Sequence, residues 1–239
     1  MPLFLLLTFI FYYDEKYVII TNKRDDYMEK YIVWDWNGTL FNDVDLCVES
    51  INYLLNTQGL SPLANKEAYQ MVFRFPIIEY YKAVGFDFKR CSFEELAILY
   101  MDYYQSRSLS CQLYEEAYSA LAHYHNKGYR QILLSASKNA YLMKQLDQFN
   151  ISHYFYDILS LDNIHAHSKK ELACTYFKEQ GILPHQSVFI GDSVHDYEVA
   201  QAVSASCILI ANGHEHKSRL DKTNATVIDR IESLSQIII

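Results

Sequence analysis

Five short apolar runs punctuate the chain: Tyr31 to Asp35, Gln131 to Ser135, Tyr156 to Ser160, Val188 to Gly191 and Cys207 to Ala211. Each is continuous and bounded by polar residues, the pattern expected of parallel strands covered on both faces. Between them the period becomes helical. Tyr114, Ala117, Tyr118, Leu121 and Tyr124 fall on one stripe, as do Leu172, Ala173, Tyr176 and Phe177. Gly128 and Gly181 each follow a helical stretch and precede a strand, which suits the residue that stops a helix. Strand and helix alternating in this way predict an α/β fold, a Rossmann-like parallel sheet joined by right-handed crossovers.

From about Leu46 to Ser110 that rhythm breaks. Helical patterns run over Val44 to Asn56, Lys66 to Phe73 and Ile77 to Val84, and a fourth starts at Phe93, boxed by Ser92 and Glu95. No strand pattern intervenes. The expected organisation is an α/β core of residues 28–45 and 111–239 with an all-helical insert at 46–110. Residues 1–27 stand apart, opening with the apolar run MPLFLLLTFIFYY. That run is shorter than the roughly 20 residues that span a bilayer, has no basic flank, and is followed by no small-residue cleavage site. It reads as a monotopic anchor, as an extra element on the domain, or as sequence upstream of a native start at Met28. The last is adopted, because all the chemically informative residues follow Met28.

Composition narrows the classes. Seven glycines and four prolines among 239 residues, with half the chain hydrophobic, exclude a disordered or collagenous protein and allow a large core. A formal charge of −8 lacks the basic excess that phosphate-backbone binding needs, so a nucleic-acid partner is not expected. Cys47, Cys91, Cys111, Cys174 and Cys207 are odd in number and widely spaced, which reads as buried thiols in a cytoplasmic protein. No membrane partner is expected unless residues 1–13 act as an anchor.

Ligands of an open parallel sheet sit beyond the carboxyl ends of its strands. Four of the five runs end there in polar residues. The first ends in Asp35-Trp-Asn37-Gly-Thr39-Leu, the second in Ser135, and the fourth in Gly191-Asp192-Ser-Val-His195-Asp196. Carboxylates in these turns suit a nucleophile or Mg²⁺ ligands. Ser168-Lys169-Lys170-Glu171 reads as a capping box that puts two cations where the helix dipole disfavours them, which suggests an anion nearby.

The order of these four motifs resembles that of the haloacid dehalogenase-like hydrolases, and the helical insert looks like their C1 cap; the nearest members are phosphoglycolate phosphatase-like. The resemblance covers about Tyr31 to Leu220. It implies an aspartyl-phosphate formed on Asp35 and Mg²⁺ held by Asp35, the Asn37 carbonyl, Asp192 and Asp196. It further implies a phosphoryl group contacted by Ser135, Thr39 and Lys169, the last preferred to Lys170 by family spacing alone. The substrate would be a small phosphorylated metabolite.

One position departs from the family pattern. Where the phosphatases carry a second aspartate that protonates the leaving group, this chain has Asn37. General acid–base help is typically worth about 10²–10⁴-fold. A residue of the cap or His195 would then have to replace it, or the leaving group needs no proton. The alternatives are a non-catalytic phosphate-binding protein and, further off, a carbon–phosphorus hydrolase or phosphotransferase, with Lys66, Lys82 or Lys89 as conceivable Schiff-base lysines. The histidine pairs His165/His167 and His214/His216 are read as surface or loop residues, the cap tyrosines as packing with hydroxyls at the surface, and Arg74 as a surface ion pair or a substrate contact.

Overall fold

The computed structural model describes residues 29–161 and 168–238. The N-terminal segment and the His165/His167 pair lie outside them. In chain order the elements are β1 (Tyr31–Trp34), β2 (Phe41–Asn42), α1 (Val44–Thr57), α2 (Lys66–Val72), α3 (Ile77–Ala83) and α4 (Phe93–Ser108). Then come β3 (Gln112–Leu113), α5 (Ala117–Asn126), β4 (Arg130–Leu134), α6 (Asn139–Phe149), β5 (Asp157–Leu159) and α7 (Lys169–Gln180). The chain ends with β6 (Ser187–Gly191), α8 (Val194–Ala202), β7 (Ser206–Ile210), α9 (Lys217–Leu220) and β8 (Thr226–Ile228).

Six strands form one sheet in the order β5-β4-β1-β6-β7-β8, every pairing parallel. β1 is central: Tyr31 to Trp34 are all buried, as continuous apolarity demands of a strand with helices on both faces. One apolar layer joins Ile32, Trp34 and Leu133 to α5 and α6; the other joins Val33, Phe189 and Leu209 to α7 and α8. The polar edges of the tryptophans are satisfied inside: Trp34 Nε1 donates to Gln131 and Trp36 Nε1 to Gln145, at 2.9 and 2.8 Å.

The helices α1 to α4 form a third cluster with its own core, including Ile51, Leu54, Tyr69, Tyr80 and Leu96. Ser92 and Glu95 cap α4 reciprocally, as their spacing predicts. The chain leaves and re-enters the sheet domain through β2 and β3, which pair with each other antiparallel. Gly128 and Gly181 take positive φ, at +79° and +65°.

Five expectations need correction. Of the five cysteines only Cys47 and Cys207 are buried, while Cys91, Cys111 and Cys174 are partly exposed. Tyr118 does not join the buried stripe of α5 but is half exposed, since only the face bearing Leu121 and Tyr124 packs into the core. Four of the insert's tyrosines, Tyr69, Tyr80, Tyr81 and Tyr104, are buried in its core and do not lie at the surface, whereas Tyr53 is 41% exposed. Arg74 turns back on its own chain, its Nε donating to the Val72 carbonyl. His214 is 5% exposed, so it is no surface residue. His216 does sit in a loop, where its Nδ1 accepts from Ser218 N to start α9.

Candidate active site

The carboxyl ends of β1 and β6 bring Asp35, Asp192 and Asp196 to one place. Asp35 follows β1 directly, and its amide donates to Ile190 O of the neighbouring strand, which fixes where the carboxylate leaves the sheet. Asp192 follows β6. Asp196 lies one turn into α8, where its Oδ2 accepts from Asp192 N, Ser193 N and Ser193 Oγ. The same carboxylate therefore caps the helix and leaves Oδ1 facing the site, so capping and site geometry coincide.

Lys169, not Lys170, reaches this cluster. It is the first residue of α7, buried, with Nζ 2.5 Å from both Asp35 Oδ1 and Asp196 Oδ1, while Lys170 is exposed. Ser168 accepts from Glu171 N and so aims the helix that carries it. Burial works against the charge on Lys169, but Asp196 and Asp35 outweigh it and hold the ammonium protonated. Burial pushes the Asp35 carboxyl up to about 6 against the pull of Lys169, leaving it ionised above neutrality. Thr39 Oγ1 lies 3.1 Å from Asp35 Oδ2 and 3.3 Å from Asp192 Oδ1, tying the two carboxylates together. Ser135 is buried at the end of β4, and its Oγ accepts from Ser137 N at 3.1 Å.

Asp35, Asp192 and Asp196 offer oxygens within 4.8 Å of one another. Three carboxylates share one lysine, and Asp192 forms no ion pair among the described residues. Burial, with Asp35 and Asp196 alongside, pushes its carboxyl well above the usual range. An all-oxygen donor set with surplus negative charge fits a hard divalent cation such as Mg²⁺. Gly38 and Gly213 make room for it: a β-carbon at either would collide with the Asp192 carboxylate, and Gly38 adds a φ of +74°.

Asn37 stands at the mouth of the site with its amide fully engaged. Its Nδ2 donates to Asp43 Oδ2 at 2.8 Å and to Tyr104 OH at 3.0 Å, and its Oδ1 accepts from Ser137 Oγ at 2.9 Å. Behind it lies a buried network that sequence reasoning missed. Asp43 also accepts from Gly38 N and Tyr104 OH and pairs with His214 Nε2 at 3.2 Å; His214 Nδ1 meets Tyr69 OH at 2.9 Å. Burial opposes both charges, yet each stabilises the other: Asp43 is held below its ordinary value and His214 is raised to about 9. Asp43, Cys47 and His214 come close together in space, a neighbourhood that the spacing of the histidine pairs does not reveal.

The loop carrying His214 ties the helical insert to the core. Gln70 Nε2 donates to Gly213 O, His216 N donates to Gln70 O, and Lys66 Nζ reaches Asn212 O. Glu215, also buried, accepts from Val194 N and so steadies the start of α8. Between the two parts is a cavity of about 390 Å³ that reaches Asp35 and Lys169. Lys66, Lys82 and Lys89 do not line it, and Lys82 is paired with Glu79 in solvent, so none of the three conceivable Schiff-base lysines faces the site; the lysines that do line it are Lys138 and Lys169.

The family model for haloacid dehalogenase-like hydrolases matches residues 32–210, the span from the first strand of the sheet to the end of β7. The chain belongs to that family. A phosphoglycolate phosphatase of Pseudomonas fluorescens is 25% identical over 218 residues, covering 87% of this chain and 79% of that protein. A haloacid dehalogenase-like hydrolase from Streptococcus pneumoniae superposes with a TM-score of 0.74 at 19% identity, covering 87% of this chain and 98% of that one. A putative phosphoglycolate phosphatase from Lactobacillus plantarum gives 0.73 at 18%, covering 88% and 100%. The six-stranded parallel sheet flanked by helices is thus the fold of this hydrolase family. Among the described residues no helix is long and apolar enough to cross a membrane.

Proposed function

We propose that the protein is a Mg²⁺-dependent phosphatase of small phosphorylated molecules, working through a phosphorylated Asp35. The observation that carries this reading is the placement of Lys169 between Asp35 and Asp196 at the carboxyl edge of the sheet. Phosphoryl transfer asks mostly for positioning and for positive charge around the equatorial oxygens, and a buried lysine beside a buried carboxylate offers both. Asp35 Oδ would attack phosphorus in line with the ester oxygen. Lys169 would then turn from the carboxylates toward the phosphoryl oxygens, and Thr39 would keep Asp35 oriented. Ser135, at the end of β4, would donate its hydroxyl to a phosphoryl oxygen. When bound by Asp35, Asp192, Asp196 and the Asn37 carbonyl, Mg²⁺ would supply further neutralising charge. The insert would cover the site and exclude bulk water.

Replacing Asp35 by Asn should abolish phosphate release over a panel of phosphate esters with Mg²⁺ present; unchanged turnover would refute the mechanism. The saturated amide of Asn37 favours one competing reading, a protein that binds phosphate compounds without turning them over. Such a protein would gain thermal stability with ligand and release nothing from any ester.

A further inference from the structure

We propose that the substrate is the phosphate monoester of a phenol, an aryl phosphate, whose leaving oxygen departs without a proton. The proposal rests on the phosphatase reading and narrows it, and two independent sets of observations converge on it.

The first concerns the proton. Asn37 has none to transfer, and both ends of its amide are held by Asp43, Tyr104 and Ser137. The groups behind it are engaged as well: Tyr104 gives its hydroxyl proton to Asp43, and both ring nitrogens of His214 are taken, by Asp43 and Tyr69. His195 lies against the Phe75 ring, centroids 4.7 Å apart, with Nδ1 turned to Glu198. An alkyl alkoxide, comparable with hydroxide whose parent water has a pKa of about 15.7, is a poor unprotonated leaving group. A phenolate, with a parent pKa of about 10 as in tyrosine, is far better. The loose transition state of phosphoryl transfer puts much of the charge on that oxygen, so the difference enters the rate directly.

The second concerns the cavity. Its cap wall includes Phe73, Phe75, Tyr80, Tyr81, Tyr100 and Met101, and every cap residue that lines it is uncharged. A carboxylate such as that of phosphoglycolate would be desolvated against this wall, because the cations that line the cavity, Lys138, Lys169 and His214, all belong to the core side. A flat aromatic ring would replace water by ring contacts there.

The steps balance without an acid. Asp35 Oδ forms a bond to phosphorus as the P–O(aryl) bond breaks, and the phenolate leaves with the electron pair. Water then attacks the phosphorus of the acyl phosphate. The carboxylate of Asp35 leaves, and both protons of that water remain on the released dihydrogen phosphate.

The test is kcat/KM of the full chain with Mg²⁺ on substituted phenyl phosphates, with leaving phenols of pKa from about 7 to 10, and on 2-phosphoglycolate and simple alkyl phosphates. Phenyl phosphate should exceed 2-phosphoglycolate by at least about 100-fold, and the phenyl series should fall steeply as the leaving-group pKa rises. Asn37→Asp should raise the alkyl rates at least about tenfold and flatten the series, because it supplies a carboxyl that can carry the leaving-group proton. As a measurement free of turnover, the Asp35→Asn protein should gain more thermal stability from phenyl phosphate than from 2-phosphoglycolate. Brisk turnover of 2-phosphoglycolate, or a flat phenyl series, overturns this proposal and leaves the phosphatase reading standing. So does alkyl turnover that His195→Ala abolishes, since a proton donor would then be present. No release from any ester overturns the phosphatase reading together with this one.

Discussion

Replacing His214 by phenylalanine keeps a ring in contact with Phe73 and Tyr69 but removes both nitrogens from the network between core and cap. Asp43, 1% exposed, would lose its only cationic partner among the described residues. Breaking a buried pair from one side typically costs about 3–5 kcal/mol. The pH dependence isolates the charge itself. The His214 pKa rises from 6.5 in a free imidazole to about 9 in the fold, because Asp43 overcomes the burial that would lower it. At about 1.36 kcal/mol per unit this corresponds to about 3 kcal/mol of stabilisation. A raised pKa means the folded state keeps a proton the unfolded chain releases, so the contribution is complete below pH 6.5 and is lost as pH climbs through about 9. Chemical and thermal unfolding of both proteins, with chelator to remove divalent cations from the neighbouring carboxylates, should show the gap between wild type and His214→Phe closing by about 3 kcal/mol over that window. At about 2–4 °C per kcal/mol for a chain of this size, this is about 6–12 °C in Tm. A gap that stays constant with pH, or an imidazole that titrates near its free value in the folded protein, would refute the assignment.

Two more consequences follow from the carboxylate cluster. Lys169→Met should cost at least about 100-fold in kcat, the usual loss of a charged transition-state contact, and should lower stability in chelator while Mg²⁺ restores part of it; unfolding with and without Mg²⁺ reads this directly. Gly213→Ala pushes a methyl group into the Asp192 carboxylate, and titration of Tm against Mg²⁺ should show affinity weakened by about 10–100-fold with the fold intact in the metal-free state.

Much of the fold was legible in the sequence because the central strands are buried on both faces and therefore read as unbroken apolar runs. The residues at their carboxyl ends, Asp35, Ser135 and Asp192, could be picked out for the same reason. What escaped lacks such a signal. β2 and β3 are two residues each, too short to show a period. In α6 the buried position next to Leu142 and Leu146 is Gln145, whose amide is there for Trp36 Nε1, so the stripe that would betray the helix is broken by a polar residue. Asp43 and His214 are brought together by the sheet order, which puts the loop after β7 beside the turn after β1 through β6. No local pattern encodes that meeting. The cap tyrosines were misjudged because an amphipathic side chain looks the same in sequence whether its hydroxyl meets water, Asp43 or His214.

The relation between Asn37 and Asp43 explains how a site can lose its proton donor without losing its shape. Asp43 stands within hydrogen-bond reach of position 37, where the resemblance implies acid–base work, but it cannot inherit that role. Its pKa is held down by His214 with Tyr104 and Asn37 in support, so at neutral pH it is a carboxylate with no proton to give. It is also screened by Asn37, which takes one of its oxygens at 2.8 Å. An aspartate at position 37 would face that carboxylate across the same distance, where like charges cannot both ionise without large cost. The amide removes the conflict: it donates to Asp43 and Tyr104, accepts from Ser137, and joins β1, the loop after β4 and α4 of the cap in one neutral link. A buried Asp43–His214 brace between core and cap and an ionised acid at position 37 are thus competing uses of the same few ångströms.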